Sequence, residues 1–345
     1  MKRITMRNPD DMHFHPRKGK MLQEVLMYTS KIFSRGIVMG NLPKPVVMAD
    51  DAEVFREEII SVDPEFQPLM TIMLTKRTTP EIIREAFKRG IRFLKYIPGN
   101  MSTNSEDGVP LSELHKYYPV FETMQELGMV LLGHWEFPLN IFGNLVPEFG
   151  RERQAIRYLD EIVKFFPRLI ITVEHASTRE MIEYVERAPA NIVATLTVHH
   201  ALLTYDDVCD GNGKIYNPHH YCKPIAKSSQ DREAVVKAMI SGNRKFFFGS
   251  DSAPHPESAK RKNPPAAGIF TAPVVLPLLG EIFEKNNALD ILSNFVSRSG
   301  AESYDLPLND GEITLKKEPW IVPEYVDGSD VRIFWGGKKL NWQVE

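Results

Sequence analysis

The sequence predicts an α/β fold, a (β/α)8 TIM barrel forming a single domain over residues 1–345, with long loops after strands 4 and 7. Three observations predict it. Short apolar runs recur along the chain with amphipathic stretches between most of them. The runs are near-continuous in aliphatic and aromatic residues rather than alternating, as in strands buried on both faces of a parallel sheet. Ligand-type side chains (His13, His15, Lys95, His134, His175 and Asp251) sit at or near the ends of these runs, where a closed barrel gathers its strand ends around one pocket.

Taken in order, the strands are read at 11–15, 36–41, 68–74, 91–97, 129–135, 169–175, 192–198 and 245–251. Helical stretches are read at 21–34, 79–89, 111–127, 152–166, 177–187 and 229–240. Thr79-Pro80-Glu81 and Ser177-Thr178-Arg179-Glu180 look like helix starts, with a hydroxyl cap and early acidic residues. The rhythm breaks over 199–227, where Asp206-Asp207, Gly211-Asn212-Gly213 and Asn217-Pro218 signal a long loop after strand 7. The loop at 99–109 after strand 4 is polar and rich in small residues, which suits a lid with hydrogen-bonding tips. Residues 306–345 are read as an irregular segment packed on the barrel, with a short β-like piece at 331–335.

Composition excludes several classes. The chain is 43% hydrophobic and 25% charged, as in ordinary globular proteins, and its net charge of -3 offers no broad basic surface for nucleic acid. Two cysteines, Cys209 and Cys222, are too few for a disulfide framework. No apolar signal core follows the first residues and no run is long enough to cross a bilayer, so the expectation is a cytoplasmic protein without a membrane partner.

The strand ends carry the chemistry. In a strand, His13 and His15 share a face, so both imidazoles can reach one metal. Lys95 stands in the apolar run Phe93-Leu94-Lys95-Tyr96-Ile97, where an unpaired ammonium is costly. It is either a snorkelling or acid-paired lysine, or one carbamylated by CO2 whose new carboxylate bridges two metals. His134 and His175 follow aliphatic runs on consecutive strands, which suggests a second metal position. Glu174 is a rival ligand, but strand alternation points it away from His175. Asp251, after Phe246-Phe247-Phe248-Gly249-Ser250, is placed to ligate a metal and to move a proton. The remaining histidines, His115, His199, His200, His219 and His220, are read mostly as surface or supporting residues.

With these residues in place, the chain resembles the amidohydrolase superfamily and, within it, the dihydroorotase family of the shorter, single-barrel bacterial type. The likeness spans residues 11–268. His13-Phe14-His15-Pro16-Arg17 looks like the family's HxHxR, and Met39-Gly40-Asn41 like its MxN. Lys95-Tyr96-Ile97-Pro98 with Thr103-Asn104-Ser105 resembles its modified lysine and lid, and Gly249-Ser250-Asp251-Ser252-Ala253-Pro254-His255 is close to its GTDSAPH. The resemblance implies two Zn2+ per subunit, bridged by N6-carboxylated Lys95 and a hydroxide. His13, His15 and Asp251 would hold one ion, and His134 and His175 the other. It implies reversible hydrolysis of the cyclic amide of (S)-dihydroorotate to N-carbamoyl-L-aspartate in pyrimidine synthesis, with Asp251 as the catalytic proton shuttle. It assigns the small anionic substrate to Arg17, Asn41, Ser102, Thr103, Lys223, His255 and Ala267, and it suggests a homodimer.

Three departures touch specificity. Lys18 stands where the family usually has aspartate, and Lys223 where relatives commonly have an apolar residue. The stretch Asn263-Pro264-Pro265-Ala266-Ala267 lacks the cysteines of some relatives. Two rival readings follow. One is another cyclic amide or imide hydrolase, hydantoinase- or dihydropyrimidinase-like, against which the retained Arg17, Asn41 and His255 argue. The other is a non-catalytic paralogue, against which all six retained ligands argue.

Overall fold

The eight predicted barrel strands all form in the computed structural model, which describes residues 2–345. After β1 (Arg3–Arg7) come β2 (Asp10–Phe14), β3 (Arg35–Val38), β4 (Gln67–Met73), β5 (Phe93–Tyr96), β6 (Val130–Gly133), β7 (Ile170–Val173), β8 (Ile192–Leu196) and β9 (Phe246–Phe248). Strands β2 to β9 pair in sequence order as one parallel eight-stranded sheet. A parallel bridge from Phe14 to Ser252 joins its two ends and closes the barrel.

Inward-facing Met12, Ile37, Phe93, Val130, Leu132, Val193 and Phe247 fill the barrel interior. Tyr304, from the C-terminal side of the chain, seals the floor with its hydroxyl 2.8 Å from Thr172 Oγ1. The outward faces pack against the helices, among them Gly19–Ser30, Pro80–Lys88, Arg151–Phe165, Arg179–Arg187 and Ser229–Ile240. Thr79 and Thr178 cap two of these as the sequence predicts, each hydroxyl accepting from a backbone N–H one turn in. The stretch read as one helix at 111–127 divides into a 3-10 segment (Leu111–Tyr117) and an α-helix (Tyr118–Leu127), with Pro119 in the first turn of the second. No helix is long and apolar enough to cross a membrane among the described residues.

The C-terminal segment is not irregular, which corrects the sequence reading. β10 (Glu312–Ile321) and β11 (Lys339–Val344) join β1 in a three-stranded antiparallel sheet of order β1-β10-β11. In the first half of β10, Ile313 and Leu315 turn inward and charged residues turn out. That period-2 pattern is the mark of a half-exposed strand, masked here by its lysines and glutamates. The piece at 331–335 is no strand; Val331 and Arg332 make only isolated bridges, to Pro256 and Tyr325.

Candidate metal centre

Two backbone devices aim the ligands. The β2–β3 register shifts between Asp11 and Phe14, so Met12 lies inside the barrel while Phe14 packs outward against Phe66. After that bulge His13 and His15 share the inward face. Asp11 braces it, accepting from His13 N (3.2 Å), Ser250 N (2.8 Å) and Ser250 Oγ (2.5 Å). Burial pushes the Asp11 carboxyl up to about 7, against the opposing bonds from Ser250. The second device is left-handed backbone: His175 has φ 44° and Asp251 φ 45°. Such residues cost roughly 1–3 kcal/mol and cluster at active sites.

The turn at His175 corrects the alternation argument for Glu174. The Glu174 carboxylate points inward, in close contact with His13 Nδ1 and 3.9 Å from Lys95 Nζ. His175 would then face outward on a straight strand, but its positive φ swings the imidazole back to the same pocket. Both side chains reach the centre, Glu174 beside His13 rather than in the ligand set.

All six predicted ligands converge. Asp251 Oδ1 lies 3.0 Å from His15 Nε2 and 3.3 Å from His13 Nε2, and His134 Nδ1 lies 3.2 Å from His175 Nε2. Two atoms bound ~2.0–2.1 Å from one tetrahedral zinc are ~3.3 Å apart, so both sets match the edge of such a site. The His13 and His175 rings are 5.2 Å apart, which brings the two sets together. Lys95 is 1% exposed and its Nζ has no hydrogen-bond partner. An orphaned amine in this position fits a group that gains a carboxylate and two metal contacts. The residues present therefore fit a metal pair.

The charge state fits too. Burial lowers the Lys95 ammonium to about 7 and His13 to about 3, and it lowers His15 and His175, leaving imidazoles neutral as metal ligation requires. Burial works against the Asp251 carboxylate, but its contacts with His13 and His15 hold it well below the usual carboxylate range.

Above the ligands, Arg17, Asn41, Ser102, Thr103, Lys223 and Ala267 line one small cavity with His15 and Asp251. Arg17 (φ 65°) donates from Nε to Pro254 O (2.9 Å) and lies 3.0 Å from His255 Nε2. That same nitrogen is 2.9 Å from Ala267 O. A neutral imidazole nitrogen either accepts from Arg17 or donates to Ala267, not both, so this corner has a spare donor or acceptor. The lid is docked over Asn41, whose Nδ2 donates to Thr103 O (3.2 Å) while Asn104 Nδ2 donates to Asn41 O (3.1 Å). Of the two unusual lysines, Lys18 lies 3.4 Å from Glu58 and over the Phe55 ring, and Lys223, although it lines the cavity, has its Nζ 3.9 Å from Glu148.

Several residues escaped the sequence reading. Glu136 Oε2 is 2.7 Å from His134 Nε2, fixing that ring so its Nδ1 faces the centre. Its signal was the i, i+2 spacing from His134. Thr195 Oγ1 accepts from His175 N (2.7 Å). Glu152 accepts from Ser177 N (2.9 Å) and Thr178 N (2.6 Å), holding the turn after His175. Of the two alternatives for His199 and His200, surface or supporting residues, burial favours the second: they are 0% and 3% exposed on a short helix (Val198–Leu202) at the start of the long loop.

No family model matches the chain. A curated relative from Pseudoalteromonas atlantica, named dihydroorotase, is 39% identical over 352 residues and is matched over the full length of both chains. The crystal structure of dihydroorotase from Saccharomyces cerevisiae in complex with 5-fluoroorotic acid superposes with a TM-score of 0.93 at 33% identity, covering 100% of this chain and 99% of that one. The L-hydantoinase of Arthrobacter aurescens shares the fold at a TM-score of 0.79 but only 15% identity, covering 99% of this chain and 83% of that one.

Proposed function

Because the chain belongs to the dihydroorotase family, we propose that its centre holds two zinc ions and uses them to open and close a cyclic amide. The protein is a metal-dependent cyclic amidohydrolase with dihydroorotase activity in pyrimidine biosynthesis, acting on a small-molecule substrate. His13, His15 and Asp251 would hold one ion, His134 and His175 the other, with Lys95 carboxylated on Nζ to bridge them. When bound, the pair would supply a water ionised near neutral pH and polarisation of the ring carbonyl.

The protein's own groups do the rest. Hydrolysis breaks the ring C–N bond, with hydroxyl joining the carbonyl carbon and hydrogen joining the nitrogen. Asp251 accepts the proton of the attacking water and delivers it to the amide nitrogen as the ring opens; ring closure retraces the same path. Arg17, with Asn41 and His255, takes the exocyclic carboxylate, since a guanidinium fork matches a planar carboxylate. Glu136 and Glu174 orient His134 and His13. The observation that carries the reading is Asp251 Oδ1, within 3.0 Å of His15 and 3.3 Å of His13 at the foot of the Arg17 cavity. A homodimer in a cytoplasmic setting is part of the same reading, and sedimentation as a monomer would remove the first element.

The test is ultraviolet-monitored turnover of dihydroorotate beside dihydrouracil and hydantoin. The expected result is turnover of the carboxylated ring alone. Turnover of either neutral ring without dihydroorotate would transfer the specificity to the hydantoinase-like alternative.

A further inference from the structure

Lys260 ends the short helix Glu257–Lys260 just after His255, a setting that reads as surface, yet it is 4% exposed. No carboxylate pairs with it within ion-pair distance among the described residues. Its Nζ instead donates to three backbone carbonyls: Gly268 O (2.7 Å), Ala266 O (2.9 Å) and Tyr221 O (3.2 Å). An ammonium has three N–H donors, and all are used. Burial lowers it to about 8, with the Arg17 charge acting the same way against Cys222 and Glu257.

The three carbonyls belong to the two loops that bound the substrate cavity. Tyr221 precedes Lys223, while Ala266 and Gly268 flank Ala267; Lys223, Ala267 and Gly268 all line that cavity. Gly268 N also donates to Tyr221 O (2.9 Å), which ties the loops into one unit. Gly268 has φ 146°, and a Cβ there would stand 2.7 Å from Ala253 O and 2.9 Å from His255 Cδ2, so the loop approaches closer than a side chain permits. In a trans peptide the C=O and N–H point opposite ways. Holding Ala266 O on the ammonium therefore turns the Ala267 N–H away from Lys260, and that N–H finds no backbone acceptor among the described residues.

We propose that Lys260 is a positioning residue for the anionic substrate: by gripping three carbonyls it presents the free Ala267 N–H to the cavity, and its charge reinforces that of Arg17. This rests on the reading of the cavity as the dihydroorotate carboxylate clamp. The effect belongs to binding of the carboxylate rather than to the bond-breaking step, so KM should carry it and kcat should not.

The experiment compares wild type with Lys260→Met, which keeps the stem and removes the charge, measuring metal content, kcat and KM for dihydroorotate. The expected result is unchanged metal, kcat within about threefold and KM raised roughly tenfold or more. A merely structural lysine would lower the active fraction without moving KM, and that result overturns the inference. A second measurement needs no variant: wild-type KM between pH 7 and 9. The ammonium loses its proton as pH rises through about 8, so KM should climb across that window. Of the groups facing it, Cys222 is pushed well up by burial, His255 is held neutral by burial with Arg17 and Lys260, Arg17 is lowered by burial only to about 10, and Glu257 is lowered. A KM flat to pH 9 contradicts the role even where the variant fails to fold. Wild type inactive on dihydroorotate would sink the clamp reading and this inference together. Activity with an unmoved KM in Lys260→Met would sink this one alone.

Discussion

The floor and the rim of this pocket are built by different means. The floor takes its six ligand-type side chains from strand ends and aims them with a bulge at β2 and left-handed turns at His175 and Asp251. Three of them are braced by buried groups: His13 by Asp11 and Glu174, His134 by Glu136, and His175 by Thr195. The rim is carried on loops and works through backbone atoms as much as side chains, with Thr103 O, Pro254 O and Ala267 O all engaged. Side chains that must keep fixed distances sit in or just past the ends of rigid strands, whereas the rim is carried on the connecting loops.

Breaking the floor should cost most. Lys95→Ala should reduce bound zinc below one ion per chain and turnover by about a thousandfold or more, read by elemental analysis and rate; a metal-replete, active variant would remove the bridge. Asp251→Asn should keep the fold by circular dichroism and lose ~100- to 10,000-fold in kcat, and near-normal rates would take the proton shuttle from it. Glu136→Gln tests the bracing, and a ~10- to 100-fold weaker metal affinity is expected in a chelator competition. At the rim, Lys223→Leu should change KM for dihydroorotate by no more than about threefold, because its partly exposed ammonium is directed at Glu148. A larger change would mean that the side chain reaches the ring.

The same contrast explains what the sequence made legible. The candidate ligands stand out in the sequence because histidine, lysine and aspartate are conspicuous at the ends of apolar runs, and the barrel follows from those runs. Alternation does not place Glu174 correctly because it holds only within a strand, and β7 ends at Val173, before the turn at His175. β10 was hidden because its charged face outweighs Ile313 and Leu315 in a composition count. Lys260 gave no signal, since a lysine grips carbonyls of any residue type and only the folded loops bring them together. The helix that carries His199 and His200, five residues long, is too short to show a period in the sequence.

A metal pair bridged through Lys95 on one floor is the proposal on which the rest depends. Zinc per chain, measured on the active wild-type protein alongside its dihydroorotate turnover, tests it most directly. About two ions per chain are expected, with activity falling in step as they are chelated and returning when zinc is restored. Full turnover at one ion or fewer per chain would contradict it.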